Sequence, residues 1–114
     1  MAIGKRSFLK VYGKDWSTKD GTGVRDYIHI MDLAEAHIKS INYLISAKNK
    51  KMYEIFNVGT GKGSSVLDVI NAFEKVTGEN VPHKFVGPRE GDVPIAFADV
   101  KKINSKMGWK AKFT

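Results

Sequence analysis

Cysteine is absent from the 114 residues, which excludes disulfides and thiolate metal sites and fits a reducing compartment. No segment supplies the ~20 apolar residues that a membrane helix needs. The opening MAIGKRSFLK has no long apolar stretch of the secretory kind. A soluble, cytoplasmic protein without a membrane partner is the expectation. Internal repeats, low-complexity tracts and linkers are also missing, so residues 1–114 read as a single unit, a usual length for one domain with one core. Acidic residues are outnumbered, 12 against 19 basic, for a formal charge of +7. Such an excess suits nucleic acid, membranes or phosphorylated small molecules, and it says nothing of fold.

What is present alternates between strand and helix patterns. SFLKVY (7–12) is short, apolar and partly alternating, as a strand is, and GKDWSTKDGTG (13–23) reads as a long loop. In VRDYIHIM (24–31), Val24, Asp26, Ile28 and Ile30 share one face and Arg25, Tyr27 and His29 the other, which predicts a strand. Asp32 is expected to cap a helix reaching about residue 47, with Leu33, Ala36, Ile41, Leu44 and Ile45 at helical spacing. Basic KNKK (48–51) leads to a predicted strand, MYEIFNVG (52–59), apolar on both faces. A serine, 64 or 65, is set to cap a second helix with core face Val66, Val69, Ile70, Phe73 and Val76, stopped by Gly78. Strand HKFVG (83–87), a brief strand VPIAF (93–97) and a helix capped by Asp99 that runs to Met107 and is ended by Gly108 complete the order. Strands alternating with helices make the class α/β.

Glycine-rich GTGKGS (59–64) lies between a predicted strand and a helix, where a phosphate cradle would sit. Its spacing matches neither G-x-G-x-x-G nor G-x-x-x-x-G-K-[ST], so these are read as turn glycines. The three histidines, 29, 37 and 83, form no i, i+4 metal pair. Basic residues interleave with aromatics at Lys5, Arg6, Phe8 and Lys10, and at Lys106, Trp109 and Lys110, without matching a nucleic-acid module. Arg25 and Arg89 are different. Each stands where a loop meets a strand, and guanidinium forks suit phosphate oxygens. Asp92, an acceptor-only carboxylate in the stiff loop GPREGDVP, is suited to a ribose diol. The bland alternative is ordinary salt bridging to Asp26 or Glu90.

Three stretches taken in order carry a resemblance. VYGKDWSTKDGTGVRDYIHIMDLAEAH (11–37), YEIFNVGTGKGSSVLDVINAFEKVTG (53–78) and REGDVPIAFADVKKINSKMGWKAK (89–112) closely resemble the substrate-side half of the UDP-glucose 4-epimerase family. Nearly the whole chain is covered in the family's order, and DGTGVRDYIH followed by REGD is highly specific. Sister enzymes on nucleotide sugars often differ where Glu90 stands.

The resemblance implies the C-terminal substrate-binding part of an extended short-chain dehydrogenase of Rossmann type: a small mixed sheet with flanking helices. Family members use NAD to take a hydride from C4 of a UDP-bound hexose and return it to the other face. This interconverts UDP-glucose and UDP-galactose in galactose metabolism. By resemblance, Arg25 and Arg89 neutralise the diphosphate and Asp92 takes the ribose hydroxyls. Glu90 and Gly91 complete that loop, while Lys10, Val11 and Tyr12 lie along the uracil, the Tyr12 ring forming an apolar wall. Pro88 departs from the basic residue often found there, and Ser64-Ser65 from a more usual Tyr-Ser.

The family's N-terminal half is expected to be missing. The four tyrosines, 12, 27, 43 and 53, are followed four residues on by Trp16, Met31, Ala47 and Asn57, so there is no Tyr-x-x-x-Lys pair. No dinucleotide fingerprint is present, and the chain is expected to stop short of the family's last helix. It is therefore expected to bind UDP-sugar weakly, to bind no NAD itself, and to be inactive alone, since no side chain replaces NAD as hydride acceptor. A stand-alone nucleotide-sugar binding or interaction domain is the alternative, and a nucleic-acid binder rests on charge alone. The helix at 33–47 and strand 52–59 carry more apolar surface than one face needs, so self-association is expected.

Overall fold

The computed structural model describes residues 5–46 and 53–113. The strands are β1 (Leu9–Tyr12), β2 (Val24–Arg25), β3 (Ser64–Ser65), β4 (His83–Val86) and β5 (Ile95–Ala96). The helices are α1 (Ile30–Ser46), α2 (Val66–Thr77) and α3 (Lys101–Met107). Contacts group them into two compact units, Met1–Arg25 with Gly63–Ala96, and Asp26–Lys62 with Phe97–Thr114. Among the described residues no helix is long and apolar enough to cross a membrane.

The first unit holds all five strands found among the described residues. β1 runs parallel to β4, with Val11 opposite Phe85 and Tyr12 opposite Val86. β2 lies between β3, to which it is antiparallel, and β5, to which it is parallel. The small mixed sheet is thus present, and α2 flanks it. Ser65 caps α2 as expected: its hydroxyl accepts from the Asp68 N–H at 3.0 Å while the Asp68 carboxylate accepts from the Ser65 N–H at 3.1 Å. Gly78 ends the helix in the left-handed conformation, φ 72°. Of the expected apolar face of α2, only Ile70 is buried, whereas Val76 is 85% exposed.

The second unit packs α1 against α3. Ala36, Ile103 and Trp109 form its buried centre, with Ile28, Phe56, Val58, Val100, Met107 and Ala111 around it. Asp99 does not stand at the cap position of α3: Val100 does, without a side-chain bond, and the Asp99 carboxylate accepts from the Lys101 N–H at 3.0 Å from one residue further back. Three more expectations are corrected here. The strand at 24–31 ends at Arg25, and the helix starts at Ile30, before Asp32. His29 supplies the cap: its carbonyl accepts from the Leu33 N–H and its ring Nδ1 from the Met31 N–H. Asp32 is buried instead, its carboxylate accepting from the backbone N–H groups of Lys112 and Phe113 at 2.9–3.1 Å. A carboxylate gains more from two amides of a neighbouring segment than from a cap position already filled.

Segment 53–58 forms no ladder among the described residues, and Met52 and 47–51 lie outside them. It still alternates: Phe56 and Val58 pack inward, Tyr53 and Ile55 stand exposed. Lys102 fastens it to α3, with Nζ 2.7 Å from both the Ile55 carbonyl and Glu54. Ile41, Leu44 and Ile45, expected in the core, are exposed, because α3 covers α1 only around Ala36 and Ser40.

Candidate functional site

Every residue expected at the site belongs to the first unit. Strand alternation turns Val11 into the interior, at 1% exposure, and leaves Lys10 and Tyr12 on the surface. Residues 5–10 and Tyr12 line an open groove along this strand. Arg25 ends the central strand β2, whose pairing on both sides fixes which face its side chain takes.

Arg89 and Asp92 are the ends of one tight turn. The Asp92 N–H donates to the Arg89 carbonyl at 3.2 Å, and Gly91 at the third position has φ 80°, a conformation that favours glycine. The turn folds the carboxylate back onto its own arginine, with Arg89 Nε 2.9 Å from Oδ2 and NH2 3.2 Å from Oδ1. Arg25 NH2 approaches the same Oδ1 at 3.6 Å, and Arg25 NH1 donates to the Val24 carbonyl at 2.8 Å. The Arg89 guanidinium also lies 4.6 Å from the centre of the Tyr12 ring.

The arginines thus share Asp92, not Asp26 or Glu90. The hydrogen bond from Arg89 holds the Asp92 carboxyl below its ordinary pKa, with the charges of Arg89 and Arg25 adding to it. The same bond raises the pKa of Arg89. Glu90 stands exposed beside the pair. Two guanidinium groups, one carboxylate and one ring face can together grip a ligand that is anionic, hydroxylated and flat.

Asp26 takes a role that the sequence reading did not give it. Its carboxylate accepts from the Thr60 N–H (2.9 Å), the Thr60 hydroxyl (2.7 Å), the Gly61 N–H (3.0 Å) and the Ala98 N–H (3.2 Å). Burial pushes its pKa up, but these bonds outweigh burial and hold it below the ordinary value. A side chain at Gly59 would collide with this carboxylate and with Ala98. The glycine-rich turn is therefore a cradle filled by the chain's own anion. The available signal was a lone carboxylate among Val24, Ile28 and Ile30 on an otherwise apolar face.

A second clasp went unread. Asp20 accepts from the Thr22 N–H and hydroxyl at 2.9 and 2.7 Å and from the Ser65 hydroxyl, tying the loop before β2 to the start of α2. The histidines keep local partners: His37 Nδ1 meets the Leu33 carbonyl at 2.8 Å and His83 Nδ1 the Val81 carbonyl at 3.0 Å. Among the described residues, no group of three or more His, Asp or Glu could hold a metal ion.

The fold defines a class: the C-terminal portion of an extended short-chain dehydrogenase, an α/β assembly of small sheets and flanking helices. The chain belongs to the family described as GDP-mannose 4,6 dehydratase, whose model it matches over residues 1–114. It is 48% identical over 113 residues to UDP-glucose 4-epimerase 1 of Oryza sativa subsp. japonica, covering 99% of this chain and 32% of the relative. The UDP-glucose 4-epimerase of Bacillus subtilis is 48% identical over 112 residues, covering 98% and 32%. The chain thus spans about a third of the length of these curated relatives.

Solved structures agree. The UDP-glucose 4-epimerase of Bifidobacterium longum, in complex with NAD+ and UDP, superposes with a TM-score of 0.90 at 43% identity, over 99% of this chain and 32% of that one. The enzyme from Stenotrophomonas maltophila, with bound NAD and formylated UDP-arabinopyranose, gives 0.92 at 42%, over 99% and 33%.

Proposed function

We propose that residues 1–114 form the UDP-sugar-binding portion of a UDP-glucose 4-epimerase. The observation that carries this reading is the convergence of Arg25 and Arg89 on Asp92 beside the Tyr12 ring. The two guanidinium forks neutralise the diphosphate, and the Asp92 carboxylate accepts from the ribose hydroxyls. Tyr12 walls the uracil, with Lys10 and the Val11 backbone along its edge, and Glu90 and Gly91 shape the loop. Similarity to an epimerase crystallised with UDP supports the assignment.

Epimerisation at C4 needs a hydride acceptor, which NAD supplies in the full-length family. The described residues do not fit NAD: the amides of the glycine-rich turn are taken by Asp26, and the chain has neither the fingerprint nor a Tyr-x-x-x-Lys pair. In this reading the chain binds no NAD and does not epimerise alone. It has no nucleic-acid or membrane partner and works in the cytoplasm. Its exposed apolar side chains on α1, with Tyr53 and Ile55, mediate self-association.

Titration with UDP, followed by amide NMR, tests the site. Binding is expected on the order of 0.1–10 mM, since this portion alone encloses little of the ligand. Arg25→Ala and Arg89→Ala should each remove most of it. Unchanged binding in both variants refutes the diphosphate assignment, and turnover of UDP-galactose with added NAD refutes the inactivity of the chain.

A further inference from the structure

We propose that Asp92 makes this site selective: by holding both arginines in the free chain, it turns away bare phosphate and pyrophosphate while admitting ligands that carry a diol as well. This rests on the reading that the arginines receive a diphosphate and Asp92 a ribose.

The free site is closed on itself. Asp92 forms a fork with Arg89 at 2.9 and 3.2 Å and reaches Arg25 at 3.6 Å, so two positive charges face one negative charge. The Asp92 side chain is 19% exposed, against 60% for Arg89, which places the carboxylate deeper than the guanidinium that it holds. Arg89 also covers the face of Tyr12. An incoming anion must therefore break the fork and then share the arginines with a carboxylate of its own sign.

Inorganic phosphate and pyrophosphate have no compensation to offer. Asp92 is acceptor-only, and a polyanion has few protons to give it. A ribose diol supplies two O–H donors for the oxygens that Arg89 releases, and a base can take the ring face that Arg89 uncovers. The displacement that penalises a bare anion is thus offset for a nucleoside diphosphate. Specificity of this kind arises from a contact that the wrong ligand cannot replace.

Calorimetric or NMR titration of the 114-residue chain with pyrophosphate, uridine and UDP tests this. Asp92→Asn should bind pyrophosphate more tightly by about 2- to 5-fold, the range that loss of a partly exposed ion-pair partner allows. The preference for UDP over pyrophosphate should fall by at least as much. Asp92→Ser, which removes the charge with a smaller side chain, should behave alike and guards against a folding defect in the first variant. Glu79→Gln changes net charge equally at an exposed position and should leave pyrophosphate affinity alone.

An unchanged or weakened pyrophosphate affinity in both Asp92 variants overturns the proposal, as does an equal gain in Glu79→Gln. Pyrophosphate undetectable in every variant overturns it too. If UDP binding ignores both Arg25→Ala and Arg89→Ala, the reading of the site has failed and the selectivity role with it. If UDP needs either arginine but Asp92→Asn gains nothing, only the selectivity role is lost.

Discussion

Asp26 and Thr60 are joined twice: the Thr60 N–H and its hydroxyl converge on the same carboxylate oxygen, at 2.9 and 2.7 Å. The other oxygen collects the N–H groups of Gly61 and Ala98. Two chain segments of the second unit, at 60–61 and at 98, are thereby fastened to the residue that follows Arg25.

Asp26→Asn should destabilise the chain by roughly 1–3 kcal/mol, because an amide keeps one acceptor and turns N–H groups toward donors. The native carboxyl has a folded-state pKa below that of an ordinary aspartate. Its contribution is complete above the unfolded value and is lost as pH falls through the lower, folded one. Wild type should lose stability on acidification in that window, and the variant should lose less. Denaturant melts between pH 3 and pH 7 measure both (a pH range chosen to span about one unit below the ordinary carboxylate value).

Trp109 is 1% exposed, and its indole N–H has no partner among the described residues. Trp109→Ala should cost about 3–5 kcal/mol by leaving a cavity beside Ala36 and Ile103. Trp109→Phe should cost much less, since it also removes an unsatisfied donor. Equal losses in thermal or urea melts would mean that the N–H is bonded in solution.

Arg89→Lys keeps the charge and loses the planar fork with which Arg89 meets Asp92. UDP affinity should fall by about 3- to 30-fold, short of the loss in Arg89→Ala, since fork geometry adds to charge. Full retention in NMR titration would reduce Arg89 to a point charge.

Ile38, Ile41, Leu44 and Ile45 of α1 are 52–79% exposed, and Tyr53 and Ile55 are 77% and 61% exposed. An apolar surface of this kind drives association. Sedimentation at micromolar concentration should show a dimer or larger species, and Ile41→Lys with Ile45→Lys should shift it toward monomer. A monomer at every concentration tested would refute the self-association.

Local chemistry made parts of this fold legible. Ser65 with Asp68, and glycines 78 and 108, announce helix ends through bonds made within a few residues. β1 and β4 announce themselves by short apolar runs bounded by turns. The pattern at 24–31 misled because Asp26 draws amides from residues 60, 61 and 98, and the chain leaves the ladder after Arg25. The apolar spacing of α1 marked one face, but which part α3 would cover depends on the position of Ile103 and Met107. At the site, the arginines were visible as phosphate-binding types. Their common attachment to Asp92 was not, because it requires β2 and the 89–92 turn to meet.

The clasp on Asp32 has a consequence for the order of assembly. Its amide partners lie 80 and 81 residues further along, and Asp26 reaches forward 72 residues to Ala98. Loop closures of that span cost entropy before any contact rewards them, which slows folding. Each compact unit is also made of two separated stretches, so neither can close while only its first stretch has left the ribosome. A nascent chain halted before Lys112 would hold α1 with its buried acid still facing water.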